Sequence, residues 1–319
     1  MKKLLITLSF ITSFAFGQEA IFNINRSNLH LINFAFTDYG NRAKLDNSFE
    51  KYSSERFANT TNLYVAIPIR DRTFASAINI KYDNLNKNNN TLEADAIFVY
   101  RFNLKRDLSI NTSANIGYIQ NNISYLNLQE RYSYKSLSEL SKEIEMQDYN
   151  LGFSTIIYGR YHQIGFSVNH LNKPKIPTDN NDRIPIKYNA FTSILLLRGK
   201  KYMNLVLGLI YQYQDKFYYN NFDLDYYYNT LSYLGISLNF YSLKAVDFGL
   251  GLKMLSNNND IISAQIGYNI RRLGLSYSFS FMHDRTYNKD VQFHQLGIYY
   301  TINTSGFGGK VRHITCPNF

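Results

Sequence analysis

The sequence predicts an all-β protein, a transmembrane up-and-down antiparallel β-barrel of about fourteen strands with short turns at one end and longer loops at the other. Three observations carry that expectation. Apolar and polar residues alternate with period two through most of the chain, and no stretch stays apolar for the roughly 18 residues that a membrane helix needs. The composition holds 28 Tyr and 23 Phe with only 5 Pro and no Trp, an aromatic loading that favours strands and the interfacial girdles of a barrel. The connections between alternating segments are of two kinds, and the two kinds take strict turns along the chain.

In chain order, residues 1–17 combine two lysines, an apolar run over 4–16 and the small-x-small ending Ala15-Phe16-Gly17, the pattern of a cleavable secretory signal. Residues 18–304 are then expected to form the barrel, and 305–319 a C-terminal tail. The cleanest alternation lies in 73–82, 91–102, 108–118, 245–255, 261–270 and 273–282. In the last of these, Leu273, Leu275, Tyr277, Phe279 and Phe281 oppose Gly274, Ser276, Ser278 and Ser280. Further strands are expected over 30–37, 62–69, 149–158, 161–170, 186–197, 201–213, 230–241 and 291–303. Segment 186–197 competes with a buried helix turn, because Ile194 to Leu197 is apolar on both faces. Strand 291–303 is expected to close the barrel against 30–37. Pro68 belongs at a strand end or bulge, since a closed barrel has no edge to host it.

Short basic connections fall at 70–72, 103–107, 159–160, 198–200, 242–244 and 271–272. Mostly longer ones, rich in Asn, Asp and Lys, fall at 38–61, 83–90, 119–148, 171–185, 214–229, 256–260 and 283–290. In a meander this segregation puts all short turns at one end, as in outer-membrane barrels with periplasmic turns and extracellular loops; an even strand count puts both termini on the periplasmic side. Within 119–148, Ser136 and Glu139 have capping-box spacing and Leu137, Leu140 and Ile144 helical spacing, which predicts a short helix at the barrel mouth. The tyrosine run Tyr226 to Tyr228 is expected at an interface or in a strand flaring beyond the membrane.

A mean hydropathy of −0.30 excludes a helical membrane protein and leaves a barrel open, because barrel strands show lipid only every second residue. The net charge of +10 is scattered over turns rather than gathered on one face, so nucleic acid is not expected as a partner. The 6 His show no metal-ligand spacing and no Ser sits in a G-x-S-x-G elbow, so no metal, cofactor or catalytic residue is assigned and no enzyme is expected. The single cysteine, Cys316, excludes an internal disulfide and leaves an unpaired thiol in the tail. Basic residues Arg198, Lys200, Lys201, Arg271 and Arg272 cluster in the short turns, where they would meet either anionic lipid headgroups or a periplasmic partner.

Three features together resemble a known family. They are the signal-to-barrel layout, the phrase Gly165-Phe-Ser-Val-Asn-His-Leu-Asn-Lys-Pro174 followed by Ile184-Pro-Ile-Lys-Tyr188, and the terminal Cys316-Pro-Asn-Phe319. On these the chain resembles the PorP/SprF outer-membrane proteins of the type IX secretion and gliding machinery of Bacteroidetes. It departs from the family pattern at Phe36-Thr-Asp-Tyr-Gly40, where members tend to carry an Asn-Pro-Ala phrase. The resemblance implies binding rather than catalysis: support for secretion or surface attachment of a cognate adhesin-like protein with a C-terminal sorting domain. Outer-membrane lipids and periplasmic secretion or motor components would be the other partners. By the same token Cys316, Pro317 and Phe319, with Arg198, Lys200, Lys201, Arg271 and Arg272, become the candidate partner-binding residues. The competing expectation is a general diffusion porin or nutrient channel, for which the small polar inward residues speak.

Overall fold

A computed structural model describes residues 29–37, 42–53, 56–70, 73–85, 89–105, 107–124, 143–175, 183–198, 203–215, 217–221, 224–228, 231–242, 246–255, 260–270, 273–284 and 289–301. Fourteen strands close a barrel: β1 (Arg42–Ser53), β2 (Arg56–Arg70), β3 (Phe74–Leu85), β4 (Asn89–Lys105), β5 (Leu108–Ser124), β6 (Glu143–Tyr158), β7 (His162–Asn169), β8 (Lys187–Arg198), β9 (Met203–Gln214), β12 (Leu231–Ser242), β13 (Val246–Leu255), β14 (Asp260–Ile270), β15 (Leu273–Asp284) and β16 (Lys289–Thr301). Strands β10 (Phe217–Asn221) and β11 (Leu224–Tyr228) form a separate hairpin between β9 and β12, so the tyrosine run lies in a strand outside the barrel wall. Each barrel strand pairs antiparallel with its sequence neighbours, and β1 pairs with β16 to remove the last edge.

The wall is inside-out relative to a water-soluble core. Leu63 and Ile67, Ile78 and Ile80, Phe98 and Phe102, Ile164 and Phe166, and Phe248, Leu250 and Leu252 are exposed, while residues of the opposite face of the same strands, such as Asn62, Asn79, Asp95, Gln163 and Ser167, are buried. An unbroken apolar outer surface with polar residues inside is stable only where lipid covers the outside. Tyrosines mark both rims of the band: Tyr82, Tyr149, Tyr188 and Tyr211 near the loops, Tyr100, Tyr161, Tyr268 and Tyr300 near the turns, all exposed. Just beyond Tyr149 the outer face turns polar, where Gln120 (2.7 Å) and Gln147 (2.8 Å) donate to Glu145. Among the described residues no helix is long and apolar enough to span a membrane.

Two expectations fail together. Residues 30–37 are not a strand: Leu29–Ile32 is one helical turn and Phe34–Phe36 a 3-10 turn. Arg42–Ser53, expected to lie in a loop, is instead the first strand and takes the place opposite β16. The reason is chemical. The lumenal face of β1 carries Lys44, Asp46 and Ser48, all buried, so its alternation looks like a polar loop. The segment 30–37 is apolar at successive positions because it packs inside the barrel, with Ile32 and Ala35 buried.

Elsewhere the strand assignments hold with shifted ends. The segment apolar on both faces, 194–197, is a strand end with a bulge between Leu195 and Leu197, which turns both Leu196 and Leu197 outward while Leu195 packs on Val206. Pro68 sits at the analogous irregularity between Pro68 and Arg70 of β2. The expected helix at 136–144 lies mostly outside the described residues, and its last two positions, Glu143 and Ile144, open β6. The signal segment 1–17 and the tail 305–319 also lie outside them.

Candidate functional site in the barrel lumen

Residues Leu29–Ile32 and Phe34–Phe36 form a plug inside the barrel, held by a polar frame and an apolar one. Asn33, buried, is the centre of the polar frame. Its side-chain nitrogen donates to the carbonyls of Thr155 and Phe166, each at 3.1 Å, and its oxygen caps the 3-10 turn by accepting from Ala35 N–H at 2.9 Å. The Ile32 carbonyl accepts from Ser167 (2.8 Å) and Asn189 (3.2 Å), and the Ala35 carbonyl from Asn111 (3.1 Å), which itself accepts from Arg101 Nε at 3.0 Å. A segment this short has most of its backbone groups unpaired internally, and the barrel wall supplies the missing partners.

His30 is 1 % exposed and stacks on Tyr64 with ring centroids 4.1 Å apart. Lys44 Nζ can only donate, so its 3.4 Å contact makes His30 Nδ1 the acceptor and puts the ring proton on Nε2. The Asn62 amide lies 3.3 Å from Nε2, and its oxygen has no other donor. Turning that amide over lets Oδ1 accept the Nε2 proton and satisfies both groups.

The apolar frame packs Phe34 on Tyr64, Ala66, Ala75, Ala77, Ile97 and Val99, and Phe36 on Ala35, Ile156 and Tyr158. Phe36 also meets Phe191 edge to face at 5.2 Å. Small lumenal alanines on β2 and β3 leave the space that Phe34 fills. Gly165 does the same for Asn33: a Cβ there would lie 2.8 Å from Ile156 Cγ1 and 3.0 Å from Asn33 Nδ2. Gly165→Val is therefore expected to lift the plug off its seat and cost about 1–3 kcal/mol of stability, read as a lower urea midpoint with strand content unchanged in circular dichroism.

On the loop side of the plug lies a small recess of about 60 Å³, open to solvent, with Leu31, Ile32 and Phe34 as an apolar floor. Its walls carry Asn79 and Lys81 from β3, Glu93 and Asp95 from β4, and Asn115, Asn150, His170 and Lys187 from the strands and strand ends that follow. A hydrogen-bonded row crosses it. Lys81 pairs with Glu93 at 2.9 Å and with Asp83 at 3.5 Å, Asn150 donates to Glu93, and His170 Nδ1 donates to Asn150 Oδ1 at 3.0 Å. Asp95 accepts from Asn115 at 3.0 Å, and Asn79 lies opposite it in the pairing of β3 with β4.

The phrase 165–174 is what joins wall, plug and recess. Gly165 seats Asn33, Ser167 holds Ile32, and His170 closes the row of polar groups while its φ of 59° ends β7. Beyond it Asn172 takes the place of a strand residue: its oxygen accepts from Leu151 N–H at 3.0 Å and its nitrogen donates to the Tyr149 carbonyl. The sequence made this phrase a family signature and gave it no contacts. The sites missed by sequence are His30, Asn33, Asn111, Ser167 and Asn189, and the available signal was the two-sided apolar character of 30–37.

Cys316, Pro317, Phe319, Lys200, Lys201, Arg271 and Arg272 lie outside the described residues. Arg198 is the last residue of β8, in register with Asn204. The connections that hold these basic residues join β8 to β9 and β14 to β15 at the turn end, with the β12–β13 hairpin between them. Among the described residues no group of three or more His, Cys, Asp and Glu could hold a metal ion.

Known structures share this architecture. The chain is similar to the monoaromatic hydrocarbon channel CymD (10% identity, 90% of this chain and 95% of that one, TM-score 0.53). It is similar also to a FadL homologue of Pseudomonas aeruginosa (10%, 84% and 92%, 0.52) and to the toluene transporter TodX of Pseudomonas putida (9%, 90% and 96%, 0.54). At such identities the likeness speaks to the fold, an outer-membrane barrel. No curated protein matches the sequence. The sequence profile of the type IX secretion system membrane protein PorP/SprF matches residues 15–300, nearly the whole of the chain that builds barrel and plug. With a fourteen-stranded wall turned apolar side out and a profile match of that extent, the chain belongs to the PorP/SprF family of type IX secretion system outer-membrane β-barrel proteins.

Proposed function

We propose that this barrel supports the secretion or surface attachment of a cognate type IX secretion substrate, adhesin-like and bearing a C-terminal sorting domain, and that it acts by binding rather than by catalysis. The observation that carries the reading is the plug. A segment wedged among buried groups of β1 to β8 suits a barrel used as a platform, whereas a general diffusion pore gains nothing from it. In this reading the short basic turns and both chain ends face the periplasm. There the tail with Cys316, Pro317 and Phe319 and the turns with Arg198, Lys200, Lys201, Arg271 and Arg272 meet secretion or motor components. The long connections 125–142 and 215–230, the latter bearing the β10–β11 hairpin, face outward and hold the exported protein.

Deletion of residues 307–319 tests the tail. Surface display of the type IX substrate is expected to drop at least about tenfold, the loss anticipated when a binding anchor worth over one kilocalorie is removed. Barrel level and heat-modifiable gel migration should stay as in the parent. Unchanged display at normal barrel level would remove the tail from the proposal. The diffusion-channel alternative predicts instead a large, steady conductance of the intact protein in planar bilayers.

A further inference from the structure

We infer that the loop-side end of β6 is a docking edge for an extended, basic segment of another protein, taken up as an added strand. β6 pairs with β5 over its whole length, from Glu143 opposite Ser124 to Tyr158 opposite Ser109. On its other side β7 reaches only as far as Phe153, and the chain turns away at His170, whose φ is 59°. Residues 143–152 therefore have no strand beside them, the longest such gap among the described strands of the wall. The phrase after β7 closes part of it. Leu171 N–H donates to the Leu151 carbonyl at 2.9 Å, Leu151 N–H to Asn172 Oδ1 at 3.0 Å, and Asn172 Nδ2 to the Tyr149 carbonyl. Asp148 then ends the run: one oxygen accepts from Tyr149 N–H (2.8 Å) and the other from Lys175 N–H (2.9 Å).

These contacts fix which backbone groups lie free beyond them. In an antiparallel ladder a residue turns its N–H and C=O to the same neighbour, and the side alternates along the strand. Leu151 and Tyr149 face the β7 side, so Gln147, Glu145 and Glu143 face it too, with no backbone partner there among the described residues. This end of β6 stands beyond the tyrosine rim, and Glu145 and Gln147 are exposed. Such an edge is a template for main-chain pairing with another chain. Charge selects the occupant. Residues 143–148, Glu-Ile-Glu-Met-Gln-Asp, hold three acids and no base. The Glu145 carboxylate is held by Gln120 (2.7 Å) and Gln147 (2.8 Å), both at Oε1, which leaves Oε2 for a cation on the strand opposite. A second copy of this chain would set the same acids against each other, which opposes self-pairing. The nearby bases belong to the turn that ends at Asp148: Lys175 bonds there through its N–H, and Arg183 donates to the Lys173 carbonyl at 3.1 Å. Under the secretion reading the added strand comes from the exported protein; peptide binding is measured without it, so either can fail alone.

Fluorescence anisotropy on the full chain in detergent micelles tests this with a labelled peptide, Lys-Val-Lys-Val-Lys-Val-amide. Two controls accompany it: the same peptide methylated at its lysine backbone nitrogens, which cannot complete the ladder opposite Glu145, and its counterpart with Glu for Lys. Saturable binding of the first peptide alone is expected, and hydrogen exchange at the Glu145 and Gln147 amides should be fast in the free chain and slow once the peptide is bound. Gln147→Pro removes one edge donor and leaves the pairing with β5, since that N–H faces the gap; binding should weaken about tenfold. Should that variant lose its heat-modifiable migration, Glu145→Lys carries the test, and it is expected to reject the lysine peptide and accept the glutamate one. No saturable binding, equal binding of either control, or affinities unmoved in the folded variants overturns the proposal. So does slow exchange at both amides without peptide, which would mean that this chain or a second copy already covers the edge.

Discussion

Deleting residues 29–37 converts a barrel of low conductance into one with a large, steady, ohmic conductance in planar bilayers, a rise on the order of tenfold or more. The size follows from geometry: eight strands leave an interior that side chains fill, sixteen to eighteen leave an aqueous channel, and about fourteen lie near the open end of that range. In the intact protein Phe34 and Phe36 occupy the half of the lumen nearer the turns, where they pack on Tyr64, Ile97, Val99, Ile156 and Tyr158. Removing them exposes those residues to water and leaves Asn111, Ser167 and Asn189 to be hydrated, which lowers stability without opening the wall, because no plug residue pairs in the barrel sheet. The deletion variant should therefore keep its strand content and its closed β1–β16 seam. A conductance equal to that of the parent would mean that the plug is not what closes the pore, and would weaken the platform reading with it.

The second large effect is expected from one side chain. Asn33→Leu keeps the branched outline at a larger volume and removes two donors and one acceptor at once, taking the side-chain donor from the carbonyls of Thr155 and Phe166 and leaving the Ala35 N–H without its buried partner. A buried polar group left unpaired costs about 1–3 kcal/mol, so the combined loss is about 3 kcal/mol or more. That is enough to make the unplugged state the dominant one if the plug is held by a few kilocalories, as marginal stability implies. Two readouts separate the outcomes: the urea midpoint falls, and a protease added from the turn side of reconstituted vesicles cuts near residue 33 in the variant only. A change in stability below about 0.5 kcal/mol, the size of an ordinary surface substitution, would show that the apolar frame alone seats the plug.

How much of this was legible beforehand differs between wall and lumen. The six cleanest segments became strands because each has a lipid face, and lipid contact enforces strict alternation that single residues report. Segment 273–282 is the clearest case: Leu273, Leu275 and Tyr277 are exposed and Gly274, Ser278 and Ser280 buried, as the two-face pattern requires. The bulge at Leu195 and Leu197 could be read only as ambiguity, since one extra residue breaks the period while the strand continues. For β1 and the plug the alternation rule misled. Lys44 and Asp46 on a strand and Ile32, Phe34 and Phe36 off one invert the usual hydrophobic signal, because inside a barrel the wall is polar and what fills it can be apolar.

By itself, then, the sequence determined the antiparallel barrel and the family, which rest on period, composition and local phrase, while its count of about fourteen strands held only because the false strand at 30–37 stood in for β1. Only the tertiary structure decided which segment closes the sheet, that Leu29–Ile32 and Phe34–Phe36 plug the lumen, and that Asp95, Asn79 and Asn115 meet in one recess. The physical reason is range. Lipid imposes its demand on each strand separately and leaves a local record, whereas a lumenal contact such as that of Asn33 with Phe166 spans 133 residues of chain and exists only once the wall has closed around it.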